Sequence, residues 1–130
     1  MSTRTSFRPQ VVLSAGSMAG NLTSTPTILQ SLTRAAYAIR WTGSTPVGSV
    51  SVEGSNDYAL NPDGTVANSG TWDALTLSVN GSPSTTVAVS GNTGSGIIDI
   101  TDTAVYAIRL IYTAGSGTGS LTATINGKVS

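Results

Sequence analysis

Apolar and polar positions alternate along most of this chain with the period of two that a half-buried strand requires, while helix signals are few. In Gly48-Ser49-Val50-Ser51-Val52-Glu53 the valines project to one face and the serines to the other, so one face is core and the other is wet. Leu75, Leu77 and Val79 repeat the pattern up to Asn80-Gly81, a strong tight-turn dipeptide, and Val87-Ala88-Val89 follows, which predicts a hairpin between those two runs. Ile98 and Ile100 alternate with Asp99, and Leu121, Ala123 and Ile125 alternate with threonines until Asn126-Gly127 ends the run. Gly, Pro and Asn interrupt these segments about every ten residues, the punctuation of an all-β domain.

The chain echoes itself. Tyr37-Ala38-Ile39-Arg40 recurs as Tyr106-Ala107-Ile108-Arg109, and each copy leads into a Gly/Ser/Thr-rich stretch and then a second alternating run, 48–53 after the first and 119–125 after the second. Two related hairpins are predicted. In each copy Tyr, Ile and a large apolar residue (Trp41 or Leu110) share the inward face, and Arg40 and Arg109 lie on the opposite surface or at an edge. Related hairpins suit a single-domain antiparallel β-sandwich or jelly roll, each supplying part of two facing sheets.

Residues 1–34 differ in texture. Arg8-Pro9-Gln10-Val11-Val12-Leu13 reads as an edge strand, and 14–27 is mostly Gly, Ser, Thr and Asn with Met18 and Leu22 as lone anchors. This segment is expected to be an extended N-terminal arm, docked on its own domain or a neighbouring subunit, ahead of a sandwich core in 35–130 that holds both hairpins.

Composition narrows the function. The 130 residues are 38% hydrophobic and 9% charged, with formal net charge zero, so the low complexity does not signal disorder. One core fits this length and two do not. The six basic residues are scattered, with Arg4 and Arg8 the only close pair, and no run can neutralise neighbouring phosphates; nucleic acid is not an expected partner. No apolar stretch reaches the length of a signal peptide core or a membrane span, so neither export nor a membrane partner is expected.

Histidine and cysteine are both absent, which removes the Ser-His and Cys-His nucleophile pairs, the commonest general base, disulfides and the usual zinc ligands. Carboxylate pairs remain as a route to glycoside cleavage, yet nothing in the spacing of Glu53, Asp57, Asp63, Asp73, Asp99 and Asp102 aims two of them at one cleft. The expectation is a protein that is not an enzyme and holds no cofactor or metal. Ser55-Asn56-Asp57 with Asn61-Pro62-Asp63-Gly64 gathers hard oxygen ligands, but in no EF-hand spacing, and Asp63-Gly64 reads as a plain turn. Trp72, between Gly70-Thr71 and Asp73, is the candidate for an exposed sugar-stacking ring beside Asn56 and Asp57, while Trp41, in register with Tyr37 and Ile39, belongs to the core. Arg40 and Arg109, with Arg4 and Arg8, are candidate interface cations.

Met18, Gly20-Asn21, Thr23-Ser24, Trp41-Thr42-Gly43, Pro46-Val47-Gly48, Ser55-Asn56-Asp57, Trp72, Tyr106, Arg109, Tyr112-Thr113, Gly117-Thr118-Gly119 and Lys128 together resemble a family of small proteins carried by tailed bacteriophages and prophages, over roughly residues 11–128. The resemblance implies a virion-associated structural role, as a decoration, cement or minor capsid component made in the host bacterial cytoplasm. Its partners would be copies of itself, as a trimer or lattice, and phage capsid proteins. The order of the Ser-Asn-Asp turn, Trp72 and the second Tyr-Ala-Ile-Arg also resembles discoidin-like carbohydrate-binding jelly rolls, which implies, as the alternative, a module binding host surface glycan on a fibre or head.

Overall fold

The computed structural model describes residues 6–29, 34–79, 82–100 and 105–128, with residues 6–8 and 128 described by backbone alone. Among the described residues twelve strands follow one another: β1 (Ser6–Ser17), β2 (Leu22–Thr23), β3 (Thr27–Ile28), β4 (Arg34–Ser55), β5 (Ala59–Leu60), β6 (Val66–Asn68), β7 (Asp73–Ala74), β8 (Leu77–Val79), β9 (Ser82–Ser84), β10 (Val87–Val89), β11 (Thr93–Ile100) and β12 (Ala107–Lys128). The pairings are antiparallel and no helix occurs among the described residues, so the chain is the all-β sandwich its alternation predicts.

Two 22-residue strands, β4 and β12, form the spine. They pair along their whole length, from Ala107 opposite Ser55 to Lys128 opposite Arg34. The first half of β4 and the second half of β12 lie in one layer, bordered by β1 beyond β12 and by β11, β8 and β9 beyond β4. The other halves lie in the second layer, bordered by β2 and β3 on one side and β7 and β10 on the other.

The Gly/Ser/Thr-rich stretches predicted as hairpin turns are corners in this continuous ribbon. Inward residues of β4 are Tyr37, Ile39 and Trp41 before the corner and Val50 and Val52 after it, so the inward parity switches from odd to even. In β12 it switches the other way, from Ile108, Leu110 and Tyr112 to Leu121, Ala123 and Ile125. The cause is one left-handed residue on each strand, Thr45 (φ 49°) and Gly117 (φ 79°), with register shifts either side of Ser116. Gly117 is required there, because a Cβ at this position would collide with the Thr45 carbonyl oxygen. Asn92 fixes the corner from outside, its side-chain oxygen accepting the Thr45 N–H at 2.9 Å and its carbonyl the Gly43 N–H at 2.8 Å.

The tyrosine-containing echo is therefore real as strand pairing but different in topology from the two hairpins expected. Each copy pairs with the alternating run that follows the other copy, because a pair of long strands bent together covers both layers without a free edge between them. The predicted hairpin of 75–79 with 87–89 is also corrected. β8 pairs with β9, Val79 opposite Ser82, whereas β10 pairs with β4, Val87 opposite Val50. The Asn80-Gly81 turn itself lies outside the described residues.

Tyr37, Ile39, Val50, Leu110, Tyr112, Leu121 and Ile125 are fully buried in one core, and each such large apolar side chain contributes about 1.5–3 kcal/mol relative to exposure. Trp41 joins them, as its register with Tyr37 predicts, and Met18 anchors the connection after β1 from inside the core. Tyr106 departs from its predicted inward place and is 38% exposed. It precedes β12, its N–H held by Asn56 Oδ1 at 2.9 Å and its carbonyl by the Leu29 N–H at 2.8 Å. Ala107 and Ile108 are both buried, and from Ile108 the inward alternation of β12 runs through Leu110 and Tyr112 in the expected phase.

Residues 6–29 of the expected arm belong to the same sheet, with Val11 opposite Thr124 and Leu13 opposite Ala123. The Ser24 hydroxyl accepts the Leu110 N–H at 2.8 Å, which ties this segment to the spine.

Candidate functional site

At the end of β4 the chain leaves the sheet at Ser55, makes the small β5–β6 hairpin, and returns at Trp72 to form β7 against Glu53 and Gly54. Short polar residues close this excursion. The buried Ser55 hydroxyl donates to Asp57 Oδ1 at 2.8 Å and accepts the Tyr58 N–H at 3.2 Å, a local turn of the kind Ser-Asn-Asp favours. Asp57 Oδ1 also accepts the Thr71 N–H at 2.6 Å, bridging the two ends of the excursion. The Thr71 amide, and after it the Ser55 hydroxyl, holds the Asp57 carboxyl below the ordinary aspartate range, since both bonds favour the charged form. At the hairpin tip Thr65 does the same for Asp63, through its hydroxyl at 2.6 Å and its N–H at 3.0 Å.

Trp72 is half-buried. Its indole N–H donates to the Ser69 carbonyl at 2.8 Å, and its ring meets Tyr58 at 5.5 Å between centroids, tilted by 55°. Arg109 covers it, with the guanidinium carbon 4.3 Å from the ring centroid. The same guanidinium binds Glu53 Oε1 through Nε at 2.9 Å and Nη2 at 2.7 Å, and Arg109 stands directly opposite Glu53 in the β4–β12 ladder. Beside this cluster an open groove of about 340 Å³ runs between Asp57, Asp73, Leu75 and Val105.

Four of the residues singled out from sequence, Asn56, Asp57, Trp72 and Arg109, thus come together at one end of the second layer. Arg40 does not join them; it is exposed on the outer face of the first layer, between Thr122 and Ser95. Arg4 lies outside the described residues, and Arg8 is in β1 with its backbone alone described. Ser55, noted in sequence within the Ser-Asn-Asp turn, joins the cluster, and Tyr58 and Thr71 complete it with no sequence signal pointing to them.

Chemically the arrangement is a clasp. Asn56 Oδ1 accepts the Tyr106 N–H, Asp57 Oδ1 accepts the Thr71 N–H and the Ser55 hydroxyl, and one face of Trp72 is covered by an arginine that Glu53 holds in place. A sugar stacking on that face would have to displace the guanidinium. Asp57 and Asp73 both border the groove, and no group of three or more acidic, histidine or cysteine side chains gathers to hold a metal among the described residues.

Fold and cluster together define a small all-β sandwich built on one bent two-stranded spine. No family's sequence profile matches the chain, and no curated protein is significantly similar to it. Among solved structures it is similar to the crystal structure of the SPBc2 prophage-derived protein YomS, with a TM-score of 0.59 over 97% of this chain and 96% of that one, at 7% identity. At that identity the likeness is one of fold.

Proposed function

We propose that this protein is a non-enzymatic structural component of a bacteriophage particle, a decoration, cement or minor protein of the head that acts by self-association and by contact with the shell. The observation that carries the reading is the end-to-end likeness to a prophage-derived protein, in which almost all of both chains is matched. The composition supports it: a sparsely charged Ser/Thr/Gly-rich surface and a sandwich without disulfides suit a protein stabilised further by its neighbours. The Trp72 cluster supports it as well, because its polar groups are engaged in fastening a loop to the sheet. Arg109 covers one face of Trp72 and so closes that face to the stacking the glycan-binding alternative calls for.

The test is to mix the purified protein with phage heads lacking it and to measure co-sedimentation and particle stability. Saturable addition to the heads is the expected result. A protein that never adds to them, at any concentration up to the solubility limit, overturns the reading.

A further inference from the structure

The outer face of the first layer bears a pattern that no contact among the described residues explains. Cross-strand registers align Val11 with Thr124, Thr124 with Ala38, and Ala38 with Ile97, so these four side chains form one row across β1, β12, β4 and β11. Val11 and Ile97, at its two ends, are the most exposed large apolar side chains among the described residues, each at 60%. The row between them is low, made of alanine and threonine. On one side runs the row of Asn126, Ala36 and Asp99, and on the other the row of Thr122, Arg40 and Ser95. Arg40 and Asp99 are exposed, and neither has an ion-pair partner among the described residues.

We infer that this face is a two-fold contact between copies of the chain, with the symmetry axis lying along the Val11–Thr124–Ala38–Ile97 row. The inference deepens the reading of the chain as a self-associating particle protein, on which it rests. Rotation about that axis packs the apolar row onto itself and exchanges the two flanking rows. Asp99 of one copy then lies beside Arg40 of the other, displaced by one strand, about 4.8 Å, across a sheet-to-sheet gap of about 10 Å that a long arginine side chain spans. The pairing occurs twice, as an isologous interface requires. A two-fold axis along the strands instead would keep each flanking row facing itself, setting the Arg40 row against the Arg40 row and the Asp99 row against the Asp99 row, like charge on like. Four strands about 4.8 Å apart and three outward rows about 6.8 Å apart cover about 400 Å² per copy, a total in the range of weak, transient contacts, so the association is concentration-dependent.

Sedimentation velocity over a concentration series tests this on wild type, Ile97→Lys, Arg40→Asp and the charge-swapped double variant Arg40→Asp/Asp99→Arg, each with a thermal unfolding control. All three positions are on the solvent face, so the variants are expected to fold. The expected result is a wild-type dimer whose dissociation constant rises about tenfold or more in Ile97→Lys and Arg40→Asp and returns to within about threefold of wild type in the double variant. A wild-type oligomer that none of the variants weakens overturns this interface while leaving self-association standing. A wild type that stays monomeric also overturns it, and addition to phage heads then decides separately whether the structural role survives.

Discussion

Replacing Tyr37 by phenylalanine tests how the core tolerates a buried hydroxyl. Tyr37 has no exposed surface, and its hydroxyl finds no hydrogen-bond partner. The neighbouring Ser24 hydroxyl accepts the Leu110 N–H at 2.8 Å and donates to the Thr25 carbonyl at 3.3 Å; burial outweighs its lowering influence and pushes the Tyr37 hydroxyl far above its ordinary pKa. A buried polar group left unpaired costs about 1–3 kcal/mol, and phenylalanine keeps the ring while removing that cost. Tyr37→Phe is therefore expected to raise stability by about 1 kcal/mol at pH 7, the low end of that range because a small void replaces the oxygen. The alkaline limb follows from linkage. Below the unfolded-state pKa, about 10, both states keep the proton and the group's contribution is complete. As pH rises further the unfolded chain releases the proton that the native state retains, and stability falls by about 1.4 kcal/mol per pH unit for this one tyrosine until the folded pKa is reached. Tyr112, also buried and raised by desolvation, adds in the same direction and remains in the variant. Urea unfolding followed by tryptophan fluorescence at pH 7, 10.5 and 11.5 measures both effects. A loss of more than about 1 kcal/mol at pH 7, or an alkaline slope identical to wild type, would refute the reasoning.

Gly117→Ala places a Cβ against the Thr45 carbonyl at a left-handed corner, and a loss of about 2–4 kcal/mol is expected in urea titrations. Gly94→Ala drives a methyl group into the Trp41 ring; the expected cost is about 1–3 kcal/mol, accompanied by a shift in tryptophan emission, and an unchanged melting temperature would contradict the packing. Arg109→Ala removes both the Glu53 pair and the cover on Trp72, so emission should shift to the red and stability fall by about 1–2 kcal/mol; a double-mutant cycle with Glu53→Gln isolates the ion pair. Asp57 is held below the ordinary aspartate range, so its stabilising contribution is present above the unfolded-state pKa and is lost as pH falls through the folded value. Asp57→Asn should flatten the acid limb of the stability profile, and an unaltered limb would count against the Thr71 clasp.

The sequence by itself determined the all-β class, the period-two faces of 37–41, 48–53 and 121–125, the burial of Trp41, and the plain turn at Asp63-Gly64. These follow from local chemistry, because alternation and turn residues act within a few positions of one another. It also brought Trp72, Asn56, Asp57 and Arg109 to notice as residues worth weighing. Tertiary structure alone decided the rest. Whether a Gly/Ser/Thr-rich stretch reverses the chain or merely bends it depends on which strand lies opposite, and here β4 and β12 lie opposite each other for their full length. Val87–Val89 goes to β4 because β9 has already taken the edge of β8. Arg40 and Arg109 occupy the same place in identical tetrapeptides yet end differently: Arg109 meets Glu53 and Trp72 across the second layer, while Arg40 faces solvent in the first. A repeated motif fixes which way a side chain points from its own strand, and the partner strands, distant in sequence, fix what it meets.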